Sequence, residues 1–183
     1  LKFNEQFPNS NYREIKPQVT TNSVKDYQDS KAPLNNNIVR FDDIKNTTNR
    51  IGWIVPKEYI VVDLDDKNDA RIVFDILKAT DTKFSYMTGK HGGHFIFKNP
   101  KSIGQGAKFI TSIGIKIDTR SLEKGYIILP YNDTDRTWGD ITSDVDDLPF
   151  FLTPVRNKDF KLSADFVSMT EGSRNSELLK HFL

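Results

Sequence analysis

A short apolar run about one third of the way into the chain, residues 59–65, ends in two carboxylates separated by one residue. This stretch is rich in β-branched side chains, ends in two carboxylates and is followed by a polar turn, so it predicts a strand. Side chains of a strand point alternately to its two faces. We therefore expect Val61, Asp63 and Asp65 on one face, and Ile60, Val62 and Leu64 on the opposite face, which packs into the core.

Two later stretches, residues 94–98 and 115–118, show the same alternation. In the first, His94 faces away from two phenylalanines, and in the second, Lys116 and Asp118 face away from the isoleucines. If the three stretches are neighbouring strands of one sheet, then three acids, a histidine and a lysine converge on one surface. These five side chains are Asp63, Asp65, His94, Lys116 and Asp118.

The remaining pattern predicts one amphipathic helix and several further strands. Apolar side chains recur at i, i+3, i+4 and i+7 from Ala70 to Leu77, and Asp66 or Asn68 is placed to cap the start of this helix. Further expected elements are strands at residues 38–41, 51–55 and 125–129, a short element at 12–16, a connector with one helical turn at 99–111 and a polar turn at 119–124.

A glycine-rich loop joins two predicted strands, residues 84–88 and 94–98. Three of its five residues, 89–93, are glycines, which permits a tight hairpin and close approach of a ligand to the backbone. Lys90 and His91 lie within it. We expect this loop to lie near a phosphate group.

Composition narrows the class of protein. The chain of 183 residues is 37% hydrophobic and 28% charged, which suits one ordinary globular domain. It contains no cysteine, which excludes disulfides, thiolate zinc sites and thiol catalysis and is compatible with a cytoplasmic setting. No apolar run approaches the roughly 20 residues needed to cross a bilayer.

Charge is distributed unevenly although the net charge is only +1. Residues 83–124 carry eight basic residues against two acids, whereas residues 133–147 carry six aspartates against Arg136 alone. A phosphate-bearing partner would favour the first region and avoid the second. Solvated loops are the alternative explanation for both.

The convergent acids indicate a chemistry. Three carboxylates from two strands can hold two divalent ions, and hard oxygen ligands favour Mg²⁺ or Mn²⁺. A histidine, a lysine and a glycine-rich loop beside them would suit a triphosphate, so nucleotidyl transfer is the simplest reaction that uses all of them. Taken singly, each feature has a structural explanation: a polar strand end, a hydrogen-bonded sheet histidine, or an ordinary hairpin.

Three stretches in this order resemble the motifs of the archaeo-eukaryotic primase superfamily, specifically the bifunctional primase-polymerase domains of phages, plasmids and other mobile elements. They are the strand ending in Asp-x-Asp at residues 61–65, the glycine-rich turn before a strand histidine at 88–97, and the strand aspartate followed by a turn and Gly-Tyr-hydrophobic-Pro at 117–130. The resemblance covers residues 38–151.

The resemblance implies roles for particular residues. Asp63, Asp65 and Asp118 would be catalytic and bind two Mg²⁺ or Mn²⁺ ions, and His94 would contact the phosphates of the incoming nucleotide. Their charge, and the strand face on which some of them lie, add weaker candidates for phosphate or template contact, namely Lys90, His91, Lys116 and Arg120.

The resemblance also implies a fold, partners and a longer protein. The fold would be α+β, a mixed sheet of the RNA-recognition type with flanking helices and a small N-terminal α/β part. Partners would be a single-stranded DNA template, a primer strand and NTP or dNTP, with no membrane. We expect a catalytic domain at residues 1–160, then a linker and the start of a C-terminal helical domain at 161–183, with a helicase domain beyond it.

Two other functions use the same residues. A metal-dependent nuclease would use the carboxylates to activate water instead of a 3′-hydroxyl. A non-catalytic DNA-binding module for replication initiation would need no metal at all.

Overall fold

The computed structural model describes residues 2–19 and 23–155, and this part of the chain is α+β. Its helices are α1 (Lys2–Gln6), α2 (Val24–Ser30), α3 (Phe41–Ile44) and α4 (Lys67–Ala79), with a 3₁₀ turn at Phe150–Leu152. Its strands are β1 (Asn11–Ile15), β2 (Arg50–Ile54), β3 (Tyr59–Leu64), β4 (Ser85–Thr88), β5 (Gly93–Lys98), β6 (Gly106–Thr111), β7 (Lys116–Ser121), β8 (Tyr126–Ile128), β9 (Thr137–Trp138) and β10 (Pro154–Val155).

The strands form two sheets. One has three strands in the order β1-β2-β8, and the other has seven in the order β10-β6-β7-β3-β5-β4-β9. Every pairing between these strands is antiparallel. The predicted sheet was mixed, so the observed strand directions correct that part of the prediction.

Strand β3 lies inside the large sheet, between β5 and β7, and is buried on both faces. The side chains of Ile60, Val62 and Leu64 pack with those of α4, as the alternation predicts. Val61 points the other way and packs with Trp53 of the small sheet, so the face that carries the acids is itself partly apolar. Because burial of each such side chain contributes roughly 1.5–3 kcal/mol, β3 is held firmly between two cores.

Helix α4 covers the face of the large sheet that is away from the small sheet. Its N-cap is Asp66, whose carboxylate accepts hydrogen bonds from the backbone N–H groups of Asn68 and Asp69 at 2.8 and 3.0 Å. Val73 and Leu77 are fully buried beneath it. Both the helix and its apolar stripe confirm the prediction, and the cap falls on the first of the two expected residues.

The predicted hairpin is also present. Strands β4 and β5 pair from Ser85 opposite Ile96 to Thr88 opposite Gly93, and the N–H of Gly89 donates to the carbonyl of Gly92 at 2.9 Å to close the turn. The strands expected at residues 51–55 and 125–129 are present as β2 and β8, and the element expected at 12–16 is β1.

The strand expected at residues 38–41 is wrong. Val39 makes only an isolated bridge to Tyr12, and the chain then enters α3. The carboxylate of Asp43 accepts a hydrogen bond from the N–H of Arg40 at 3.1 Å, which favours a helical turn over an extended one.

The helical turn expected at residues 99–111 is wrong as well. The second half of this segment is β6, which pairs with β7 through a one-residue bulge between Gly106 and Phe109. Lys108 takes a positive φ of 57° at the bulge. A bulge interrupts the alternation that would have marked a strand in the sequence.

Strand β7 runs to Ser121, so the polar turn predicted at 119–124 begins later than expected. No helix in the described ranges is long and apolar enough to cross a membrane. The expected linker and helical start at residues 161–183 lie outside the described residues.

Candidate active site

Three of the predicted site residues lie side by side across the middle of the large sheet. Asp63 of β3 is directly opposite His94 of β5 on one side and Asp118 of β7 on the other. Directly opposed residues of an antiparallel pair share a face and have Cβ atoms about 4.5–5.5 Å apart. The structure therefore brings these three side chains into one row.

A histidine and an arginine contact the carboxylates of this row. His94 Nε2 lies 3.2 Å from Asp63 Oδ1. Arg120 lies two residues beyond Asp118 on the same face of β7, and its Nη2 is 3.2 Å from Asp118 Oδ2 and 3.8 Å from Asp63 Oδ2. The guanidinium group thus lies between the two acids and compensates part of their charge.

The bulge in β6 fixes the second oxygen of Asp118. The backbone N–H of Lys108, the residue with positive φ, donates to Asp118 Oδ1 at 2.8 Å. Bulges commonly re-aim groups beside functional sites. The irregularity that hid β6 from sequence analysis therefore orients a site carboxylate.

Asp63 is a half-buried carboxylate kept ionised by its neighbours. Burial works to raise its pKa, but the charge and hydrogen bond of His94 oppose this effect. The positive charges of Arg120 and Lys31 act in the same direction, so the pKa of Asp63 lies below its usual value.

Asp65 follows the end of β3, and its pKa is shifted in the opposite direction to that of Asp63. Desolvation raises its pKa, and the negative charges of Asp63 and Asp118 raise it further, with Lys31 and His94 opposing. Asp65 is solvent-exposed and lines the same pocket as the row. Its electrostatics show that the three acids act on one another.

The pocket in front of this row has a volume of about 430 Å³ and is lined by both acidic and basic side chains. The three aspartates and His94 line it together with four basic residues. A volume of this size is typical of small-molecule sites. The basic residues that line it are Lys31, Arg120, Lys124 and Arg136.

Comparison with known families decides the assignment. The family model described as "Bifunctional DNA primase/polymerase, N-terminal" (Prim-Pol) matches residues 20–150, which is most of the chain. The chain belongs to the Prim-Pol family. No individual curated protein matches it. Membership gives a primase/polymerase role in DNA replication, and such a domain binds DNA and nucleotides.

Three predicted residues of this Prim-Pol domain are not brought to the pocket. Lys90, His91 and Lys116 are all exposed and none of them lines it. The ammonium group of Lys90 lies 5.8 Å from the ring centroid of Tyr27 on α2. Their contacts with phosphate or template therefore stay predictions.

Sequence reasoning missed Lys31 and Arg136. Lys31 belongs to an N-terminal segment without a sustained hydrophobic period, and Arg136 lies in the loop treated as acidic. The signal that could have singled out Arg136 is its isolation, since it is the one base among six aspartates at residues 133–147.

Within the described ranges, no group of three or more histidine, aspartate or glutamate side chains is arranged to hold a metal ion. Arg120 lies where a cation would neutralise Asp63 and Asp118 together. The oxygen atoms around it are nevertheless hard ligands of the kind that Mg²⁺ and Mn²⁺ prefer.

Proposed function

We propose that this Prim-Pol domain is a template-dependent nucleotidyltransferase that synthesises primers, extends them, or does both. The observation that supports this most is the row of Asp118, Asp63 and His94 on three adjacent strands, which lines a pocket that basic side chains also line. Acids and cations that border one pocket suit a nucleoside triphosphate bound at a reacting 3′-end. The strand register, set by the hydrophobic pattern of β3, holds this row in place.

Asp63, Asp65 and Asp118 are the residues that would hold two Mg²⁺ or Mn²⁺ ions. Such ions, when bound, would activate a 3′-hydroxyl for attack on the α-phosphate and neutralise the leaving diphosphate. Desolvation and the negative charges of Asp63 and Asp118 raise the pKa of Asp65, and a bound divalent cation would favour its ionised form. Arg120 would then leave the carboxylates and turn to the substrate.

His94 has an atom available for the substrate. Its Nε2 pairs with Asp63, whereas its Nδ1 is buried and has no hydrogen-bond partner among the residues that the structure describes. A buried polar atom without a partner is unfavourable, so it is a natural contact for a phosphate or hydroxyl of the nucleotide.

Other features of this function also stay predictions. They are the RNA-recognition-type description of the sheet, the catalytic boundary at residue 160, a following helical domain and helicase, and replication of a phage, plasmid or other mobile element. The choice between NTP and dNTP belongs with them.

A primer-extension assay tests the proposal. The protein is incubated with single-stranded DNA, with or without an annealed primer, and with labelled NTP or dNTP and Mg²⁺ or Mn²⁺. We expect labelled product from the wild type and at least a 100-fold loss in Asp63→Asn with Asp65→Asn. A matched control is Asp75→Asn on α4, whose side chain is 68% exposed and 3.9 Å from Arg71.

The same assay separates the two other functions. Shortening of the DNA without added nucleotide would indicate a nuclease. DNA binding that persists in a chelator and in the double variant, without any product, would indicate a non-catalytic module. Equal product from the double variant and the wild type would reject the assigned carboxylates.

A further inference from the structure

A buried ion cluster includes Arg136, one of the basic residues that line the pocket. Asp133 Oδ2 accepts from Arg50 Nη1 at 3.2 Å and from Arg136 Nη1 at 2.7 Å. The side chain of Asp133 is 0% exposed, and those of Arg50 and Arg136 are 2% and 10% exposed. Buried charges are costly unless they are paired, so one carboxylate shared by two guanidinium groups needs a further explanation.

Arg50 uses its other nitrogen atoms to hold the N-terminal segment. Its Nε donates to the carbonyl of Lys16 at 2.9 Å, and its Nη2 donates to the carbonyl of Ser30 at the end of α2. The next residue is Lys31, whose own carbonyl accepts from the hydroxyl of Tyr126 at 2.8 Å. The backbone of Lys31 is therefore anchored at two consecutive carbonyls.

The cluster places two cations on the pocket wall. Arg136 is held there by Asp133, and Lys31 by the contacts of Arg50 and Tyr126. Burial lowers the pKa of Lys31 and the charge of Arg136 lowers it further, while Asp65 and Asp63 oppose this. Lys31 thus lies within electrostatic reach of both Arg136 and the carboxylates.

Arg136 also has an unused donor. Its Nε is buried and has no hydrogen-bond partner within the described part of the chain. A guanidinium group stays charged and presents five donors in a planar fork that matches phosphate oxygens. A bound phosphate would supply the missing acceptor and compensate the excess positive charge of the cluster.

We propose that Lys31 and Arg136 bind the β- and γ-phosphates of the incoming nucleoside triphosphate, and that Arg50 and Asp133 are positioning residues for them. This inference rests on the proposed function, since it assigns two further residues of the same pocket. A free nucleotide is favoured over a DNA strand because the two cations and the carboxylates border a single pocket of about 430 Å³.

Binding measurements test the phosphate pair without relying on catalysis. The affinity for dATP with Mg²⁺ is measured by calorimetry for the wild type, Lys31→Met and Arg136→Met, with inorganic tripolyphosphate as a competitor. We expect each variant to bind dATP about tenfold or more weakly, as is typical of a lost charge-assisted contact. Lys57→Met, an exposed lysine that does not line the pocket and has no assigned role, is the matched control and should bind normally.

The outcomes separate this inference from the proposed function. Unchanged dATP affinity in both variants, with normal primer extension by the wild type, would overturn the phosphate pair and leave the polymerase function intact. Loss of single-stranded DNA affinity with normal dATP affinity would assign the pair to the template strand instead. Absence of both product and dATP binding in the wild type would overturn both.

A double-mutant cycle tests the positioning role. Asp133→Asn should raise the KM for dATP with little change in the KM for primer-template, and it should add less to Arg136→Met than it costs alone, because part of its effect passes through that residue. Full additivity of the two changes would contradict positioning. If Asp133→Asn does not fold, Lys31→Met and Arg136→Met still decide the phosphate pair.

Discussion

Gly92 of the glycine-rich loop is the residue whose substitution tests the site geometry most sharply. A Cβ atom added there would lie 1.6 Å from the carbonyl oxygen of Leu64 and 3.1 Å from the carbonyl carbon of Asp65. Both atoms belong to the backbone at the end of β3, so no side-chain rotation can relieve the overlap. Gly92→Ala must therefore separate the loop from the strand that carries the acids.

The size of the effect follows from this distance. Real Cβ contacts are essentially never shorter than 3.0 Å, so the loop has to move by roughly 1.4 Å. Leu64 is only 1% exposed, so β3 resists the movement and the loop takes most of it. Overpacking of this kind costs about 2 kcal/mol, which lowers Tm by about 4–8 °C in a protein of this length. A displacement near 1 Å at a reacting centre costs about 100-fold in rate.

Thermal unfolding and primer extension measure these two effects. Gly89→Ala is the matched control, because its added Cβ would come no closer than 3.9 Å to Gly92 O in the same loop. We expect the control to keep a Tm within about 2 °C of the wild type and most of its activity. A Gly92→Ala protein that matches the control in both assays would refute the close packing of the loop against β3.

Three further predictions concern the acids. Asp65 has a raised pKa in the folded protein, so its ionised form destabilises the fold at neutral pH. Asp65→Asn should therefore raise the free energy of unfolding in urea by about 0.5 kcal/mol at pH 7, a small value because the side chain is exposed. This gain should vanish as the pH falls through the pKa of Asp65. Asp63 has a lowered pKa, so its ionised form stabilises the fold above the usual aspartate pKa. Asp63→Asn should lower the free energy of unfolding by about 1 kcal/mol at pH 7. A stability difference from the wild type that fails to narrow below about pH 4 would contradict this. Arg120→Gln leaves Asp63 and Asp118 without their shared cation and should lower Tm in scanning fluorimetry. Added Mn²⁺ should raise the Tm of this variant more than that of the wild type. An equal increase in Tm would show that Arg120 does not compete with the metal.

The central strands could be predicted from sequence because their period is strong. In β3, the alternation fixes which residues share a face, and Asp66 supplies a clear cap for α4. The order of acid pair, glycine-rich hairpin and strand aspartate was enough to propose that Asp63, His94 and Asp118 meet. The structure pairs Asp63 of β3 directly with His94 of β5 and with Asp118 of β7, in agreement with this proposal.

The parts that sequence analysis missed depend on contacts between distant residues. Strand β6 contains a bulge at Lys108 that breaks its period, and its partner β7 decides its conformation. Arg50 supports the basic residues of the pocket because it bonds both to Ser30 and to Asp133, which lie 20 and 83 residues away from it along the chain. No local spacing reveals such a connection.

Anomalous diffraction from crystals soaked with Mn²⁺ and dATP shows most directly whether the three aspartates bind the metal ions. Manganese peaks are expected within coordination distance of carboxylate oxygens of Asp63, Asp65 and Asp118, with Arg120 turned away from the acids. Peaks elsewhere, or Arg120 still bridging Asp63 and Asp118 beside a bound nucleotide, would contradict it.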